Sequence, residues 1–237
     1  MSQTPLTICY HAVSETWRLP LALPQARLLD QVRLFRRLGF RPASAHEAVS
    51  GRGRLLHVTF DDAFAGILPT LRELNREGIR NSVFVCSSLA DDGGATLRIR
   101  ELRDEPEHEL RTLAWDELRG IAAEGTEVYS HTVSHPHLAT LGDTELATEL
   151  LESRQRLEDE LGRPCPFVAY PFGEHDSRVR DAARKAGYAA AFALGRTGRN
   201  GDAFAVPRVG IYHRDTLPRA FVKSTQLVRR QFYSGRG

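Results

Sequence analysis

Residues 143–170, DTELATELLESRQRLEDELGRPCPFVAY, decide how the chain folds. Leu146, Leu150, Leu157 and Leu161 recur at roughly helical spacing, so one face of the first part is apolar. Asp143 stands where an N-cap belongs. Gly162 stands where a left-handed residue ends a helix, and Pro164 follows the stop. The short apolar run Phe167–Tyr170 then reads as a buried parallel strand.

The same unit recurs on both sides. Gln25–Leu38 ends at Gly39, Ala65–Glu77 at Gly78, Asp116–Glu124 at Gly125 and Arg178–Ala186 at Gly187. Seven strands are predicted: Leu6–Tyr10, Leu55–Phe60, Ser82–Cys86, Glu127–Ser130, Phe167–Tyr170, Ala189–Leu194 and Val206–Tyr212. Helices alternating with such strands make βαβ units, hence an α/β fold with a barrel or a strongly curved parallel sheet. No linker divides the chain, so residues 1–237 are read as one catalytic domain. The polar segment 91–110 breaks the pattern and reads as a surface insertion, either a lid or an ordinary long loop. Phe221–Phe232 reads as a terminal helix, packed on the barrel or on a second subunit.

Composition narrows the function classes. The formal charge of +2 demands neither nucleic acid nor an anionic membrane as partner. Cys9, Cys86 and Cys165 are odd in number and far apart, which fits a reducing compartment better than a disulfide framework. Residues 1–10 have no basic n-region and no long apolar run, so the expectation is a cytoplasmic protein without a membrane span.

In parallel α/β folds chemistry gathers at the C-terminal ends of strands. Here those ends carry His11, the pair Asp61 and Asp62, the pair His131 and His135, the turn Pro171-Phe172-Gly173, and His213. Adjacent carboxylates repel each other unless a cation relieves them. A metal would take one, and the other could act as a base. Either could instead cap the helix that starts near Ala65. Two histidines four apart can meet one ion on a tight loop, and an Asp with two His is a common catalytic zinc set.

Thr59-Phe60-Asp61-Asp62, His131-Thr132-Val133-Ser134-His135-Pro136 and Tyr170-Pro171-Phe172-Gly173, in this order, resemble the first three motifs of the polysaccharide deacetylase superfamily. The opening Cys9-Tyr10-His11 resembles the Tyr-His start of many members, so the likeness runs from about Leu6 to His213. It implies a distorted (β/α) barrel of about seven parallel strands. It implies a divalent metal, Zn2+ first and Co2+ or Ni2+ next, on Asp62, His131 and His135. Asp61 would be the general base, and the backbone N–H of Phe172 would help to hold the oxyanion. Thr132 would brace the histidine loop.

The chain also departs from the family pattern. An arginine that orients the base in many members is replaced by Ala169, and Arg208 is the candidate substitute. An Asp-x-x-Asp-Trp motif is absent, which leaves Phe172, Tyr170 and Phe192 as candidates beside the substrate. Val209–His213 has the outline of the motif that supplies the general acid, so His213 is the first candidate and His11 the second. His57 reads as packed, His46, His108 and His175 as solvated, and His137 as a neighbour of the histidine pair.

The function implied is metal-dependent removal of acetyl from an N-acetylated sugar or glycan precursor, in the manner of the exopolysaccharide-synthesis branch. The alternatives are an O-acetyl esterase or non-sugar amide hydrolase on the same fold, and an inactive glycan-binding domain.

Overall fold

The computed structural model describes residues 5–91, 94–195, 198 and 201–233, with side chains described through residue 225. Ten strands and eight helices follow one another among the described residues. Seven strands close into a ring of parallel pairs: β1 (Leu6–Tyr10), β5 (Leu55–Phe60), β6 (Asn81–Val85), β7 (Glu127–Ser130), β8 (Phe167–Ala169), β9 (Ala190–Leu194) and β10 (Val206–Gly210). β1 pairs with both β5 and β10, with Ile8 opposite Val58 on one side and Val209 on the other, and this closes the barrel. The remaining strands are two-residue pieces. β2 (Ala12–Val13) pairs with β3 (Ala22–Leu23), and β4 (Arg41–Pro42) pairs with the start of β5, opposite Leu55 and Leu56.

Strand alternation sorts the side chains into two layers. Ile8, Tyr10, Val58, Phe60, Val83 and Val168 face outward and meet the helices in the main core. Phe84, Phe167, Ala169, Ala190, Phe192 and Val206 fill the barrel interior. The helices around it are α1 (Gln25–Arg37), α3 (Leu68–Arg76), α5 (Trp115–Ala123), α6 (Asp143–Leu161), α7 (Ser177–Lys185) and α8 (Leu217–Tyr233). α2 (Ala45–Ser50) puts Ala45 and Ala48 onto the interior cluster and so closes the floor. No described helix is long and apolar enough to cross a membrane.

Several boundaries differ from the sequence reading. α6 ends on Gly162 at φ 64°, the left-handed stop that the sequence signals. Its N-cap is Gly142 rather than Asp143, because Glu145 reaches back to the Gly142 N–H at 3.2 Å. Asp143 is the first helical residue, where its charge still favours the helix dipole. The stretch after the acidic pair starts as a 3-10 turn, Ala65–Ile67, and no side chain caps it. Neither Asp61 nor Asp62 is therefore an N-cap. Segment 94–110 carries a 3-10 turn at Arg100–Leu102 and the short helix α4 (Glu107–Leu110). It lies against the β1–β3 region, where Leu97, Leu102 and Leu110 pack with Trp17 and Phe64. All three cysteines are buried and free.

Candidate metal centre and active site

The strand ends bring the acidic pair and the histidine pair to one pocket. Asp61 follows β5 directly. Asp62 and Ala63 have φ of 66° and 54°, so the backbone turns sharply and the two carboxylates part to different partners. Such left-handed residues cost energy and persist where the surroundings fix them. His131 follows β7, and Thr132 and His135 also have positive φ.

The histidine loop is held from three directions. The His135 N–H donates to Thr132 Oγ1 at 3.2 Å. Ser153 of α6 donates to the Thr132 carbonyl at 2.9 Å. Glu149, one turn earlier, accepts from the Val133 and Ser134 N–H groups and from the Ser134 hydroxyl.

Asp62 Oδ1 lies 3.4 Å from His131 Nε2 and 3.2 Å from His135 Nε2, and all three residues are buried. His131 Nδ1 lies 2.8 Å from the Ala169 carbonyl. A carbonyl only accepts, so Nδ1 carries the proton and the Nε2 lone pair faces Asp62. Acceptor thus faces acceptor, and Asp62 Oδ1 is buried without a hydrogen-bond donor of good geometry. A divalent cation fits that donor set and relieves the conflict. Without one, a second proton on His131 would have to bridge to Asp62. Burial pushes Asp62 up, but His135 and His131 overcome it and hold the carboxyl well below the ordinary range. Burial pulls His131 down, and Asp61 and Asp62 more than reverse it.

Asp61 is held differently. Arg208 reaches it through the barrel interior in a two-pronged contact, Nη1 to Oδ1 at 2.6 Å and Nη2 to Oδ2 at 2.7 Å. Both side chains are buried. The Arg208 guanidinium also lies over the Phe84 and Phe192 rings. Burial raises the Asp61 carboxyl, and Arg208 followed by His131 outweighs it, so the group stays ionised. The Cys9 thiol donates to Asp61 Oδ2 at 3.3 Å, a partner not anticipated from sequence. Its signal was only the inward parity of Cys9 on β1, two residues before His11.

The acid candidates are placed apart. His11 lines the pocket beside Asp61 and Asp62, buried, with Nδ1 unpartnered and its ring stacked against Tyr212. Burial draws its pKa down against the pull of the two aspartates. His213 is not among the lining residues. Its Nδ1 donates to the Ala22 carbonyl at 2.9 Å and its N–H to the Pro20 carbonyl at 2.7 Å. Phe172 lines the pocket at φ 57° and stacks on His137, with ring centroids 3.9 Å apart. Phe192 fills the barrel interior, whereas Tyr170 packs in the main core outside it, its hydroxyl donating to the Phe204 carbonyl at 3.0 Å. His57 is also interior, as its parity on β5 predicts.

With this geometry in hand, sequence and structure comparisons agree. The polysaccharide deacetylase family model matches residues 48–191. The chain belongs to the polysaccharide deacetylase family. A Bacillus subtilis (strain 168) protein described as a polysaccharide deacetylase, YxkH, is 25% identical over 76 residues. That match spans 32% of this chain and 27% of the relative's own length. Among solved structures, the Streptococcus pyogenes deacetylase PplD in complex with acetate aligns over 94% of this chain and 98% of its own, with TM-score 0.77 and 16% identity. IcaB from Ammonifex degensii aligns over 94% and 97%, with TM-score 0.75 and 19% identity. The deacetylase domain of BpsB from Bordetella bronchiseptica covers 87% and 95%, with TM-score 0.69 and 17% identity. At these identities the likeness is one of fold.

Proposed function

We propose that this polysaccharide deacetylase family member is a metal-dependent hydrolase that removes the acetyl group from an N-acetylated sugar. The observation that carries the reading is the double arrangement of the acidic pair. Asp62 faces two histidine nitrogens that need a cation between them, while Asp61, next in sequence, is pinned ionised by Arg208.

Asp62, His131 and His135 would hold the metal, with Zn2+ first and Co2+ or Ni2+ next. When bound, it supplies Lewis acidity for the acetamide carbonyl and for the attacking water. Asp61 accepts the water's proton, since its low pKa keeps it ionised and the Arg208 fork fixes its direction. The N–H of Phe172 is the proposed donor to the oxyanion. His11 is the proposed acid, because it stands in the pocket beside both aspartates with its Nδ1 unpartnered, where it could hold a proton for the leaving amine.

The test is acetate release from a panel of N-acetylhexosamines and an O-acetylated xylan, with stoichiometric metal and with chelator. Release from the N-acetyl sugars alone, abolished by chelator, is the expected result. Release from the xylan alone transfers the reading to an O-acetyl esterase. No release from any substrate by protein carrying one metal per chain overturns it. An independent check is a rise in Tm on adding Zn2+, absent in Asp62→Asn.

A further inference from the structure

The pocket, about 330 Å3, has two kinds of wall. Its floor carries the aspartates and histidines. Its outer side is lined by Leu19, Pro20, Leu21, Ile99 and Leu102. Leu19, Leu21 and Ile99 are half-buried and Pro20 is exposed, so apolar surface stays open to a ligand. Among the described lining residues, only Glu101 and Tyr212 add polar side chains beyond the floor, and none is Lys or Arg.

This wall is built rather than incidental. The Ala22 N–H donates to the Leu19 carbonyl at 3.1 Å, the Ala12 N–H to the Leu21 carbonyl at 3.2 Å, and His213 ties down Pro20 and Ala22. The facing segment is stitched to the same loop. Trp17 Nε1 donates to Glu105 at 2.6 Å, and the Ser14 hydroxyl donates to Glu109 at 2.7 Å. The apolar side chains therefore sit on fixed backbone, which limits the entropy lost on binding.

The chemistry of that wall selects against a bare glycan. A sugar hydroxyl pressed against leucine and isoleucine loses its water and gains no partner. On this outer wall a phosphate finds no Lys or Arg among the described lining side chains. An alkyl group releases water from both surfaces. We propose that the wall of Leu19, Pro20, Leu21, Ile99 and Leu102 is a subsite for a neutral apolar group carried beside the N-acetyl sugar. The preferred substrate is then a hydrophobic N-acetyl glycoside. This rests on the deacetylase reading above for the sugar and adds its apolar neighbour.

The test compares the methyl and n-hexyl glycosides of N-acetylglucosamine and an N-acetylglucosamine tetramer, with metal-loaded full chain and acetate release as the readout. The hexyl glycoside is expected to exceed the methyl glycoside at least tenfold in kcat/KM, mainly through KM, and to exceed the tetramer. In Leu21→Asn and in Ile99→Asn the hexyl-to-methyl ratio is expected to fall towards one. Equal kcat/KM for hexyl and methyl, or preference for the tetramer, overturns the subsite, as does an unchanged ratio in both variants. If none of the three substrates yields acetate, the deacetylase reading fails on its own, and calorimetric binding decides the subsite. Tighter binding of hexyl than methyl, lost in Leu21→Asn, then supports it, and equal binding overturns it.

Discussion

Arg208 and Asp61 form a fully buried ion pair joined by two hydrogen bonds. Arg208→Ala leaves Asp61 buried and uncompensated, which costs about 3–5 kcal/mol of stability in urea unfolding. Arg208→Lys should recover part of the stability but little turnover, because an ammonium cannot match both carboxylate oxygens. Near-normal turnover of Arg208→Ala at normal metal content would remove Arg208 from the mechanism. The two acid candidates separate by pH profile. His11→Ala should lose the alkaline limb of kcat/KM, with a fall of roughly 10²–10⁴. His213→Ala should keep that limb, because its ring is not among those lining the pocket and its Nδ1 is tied to the Ala22 carbonyl. The reverse pattern would move the acid role to His213.

At the scale of elements, the histidine loop depends on α6. Glu149 accepts three hydrogen bonds from residues 133–134, and no other carboxylate takes its place there. Glu149→Ala should weaken Zn2+ binding by about 10–100-fold in competition with a chromophoric chelator, as loss of groups that orient metal ligands does. Unaltered affinity would mean that Thr132 and Ser153 suffice. Glu149 was not legible in the sequence, where it reads as one more polar residue on the exposed side of an amphipathic helix. The helix itself was legible, because its leucine spacing and Gly162 are local signals.

For the whole molecule, the barrel floor sets a pH dependence of its own. His57 Nε2 lies 2.7 Å from Ser82 Oγ, which donates to Glu127 at 2.9 Å. Burial first, and then Arg208, pushes the His57 pKa down to about 3. The unfolded chain binds this proton near pH 6.5 and the folded barrel does not, so stability is complete above that value and falls towards pH 3. Relative to His57→Gln, the wild type should lose about 1.4 kcal/mol per pH unit in that window, on the order of 4–5 kcal/mol in all. Parallel stability curves for the two proteins would show that His57 titrates freely.

The sequence by itself determined the repeat of helix, glycine and strand, the parallel α/β class, and the strand ends that carry Asp61, Asp62, His131 and His135. These signals depend on spacing within a few residues. Ring closure and the two-residue strands were decided by tertiary structure, and so was the two-pronged contact that Arg208, named beforehand only through the family resemblance, makes with Asp61. The contact of Arg208 with Asp61 spans 147 positions, and no periodicity encodes such a pair. It exists because β10 and β5 both flank β1, so their inward side chains meet in one interior. The same closure put His11 in the pocket and turned His213 to the backbone of the Pro20–Ala22 loop, a choice that two similar strand-end histidines could not make locally.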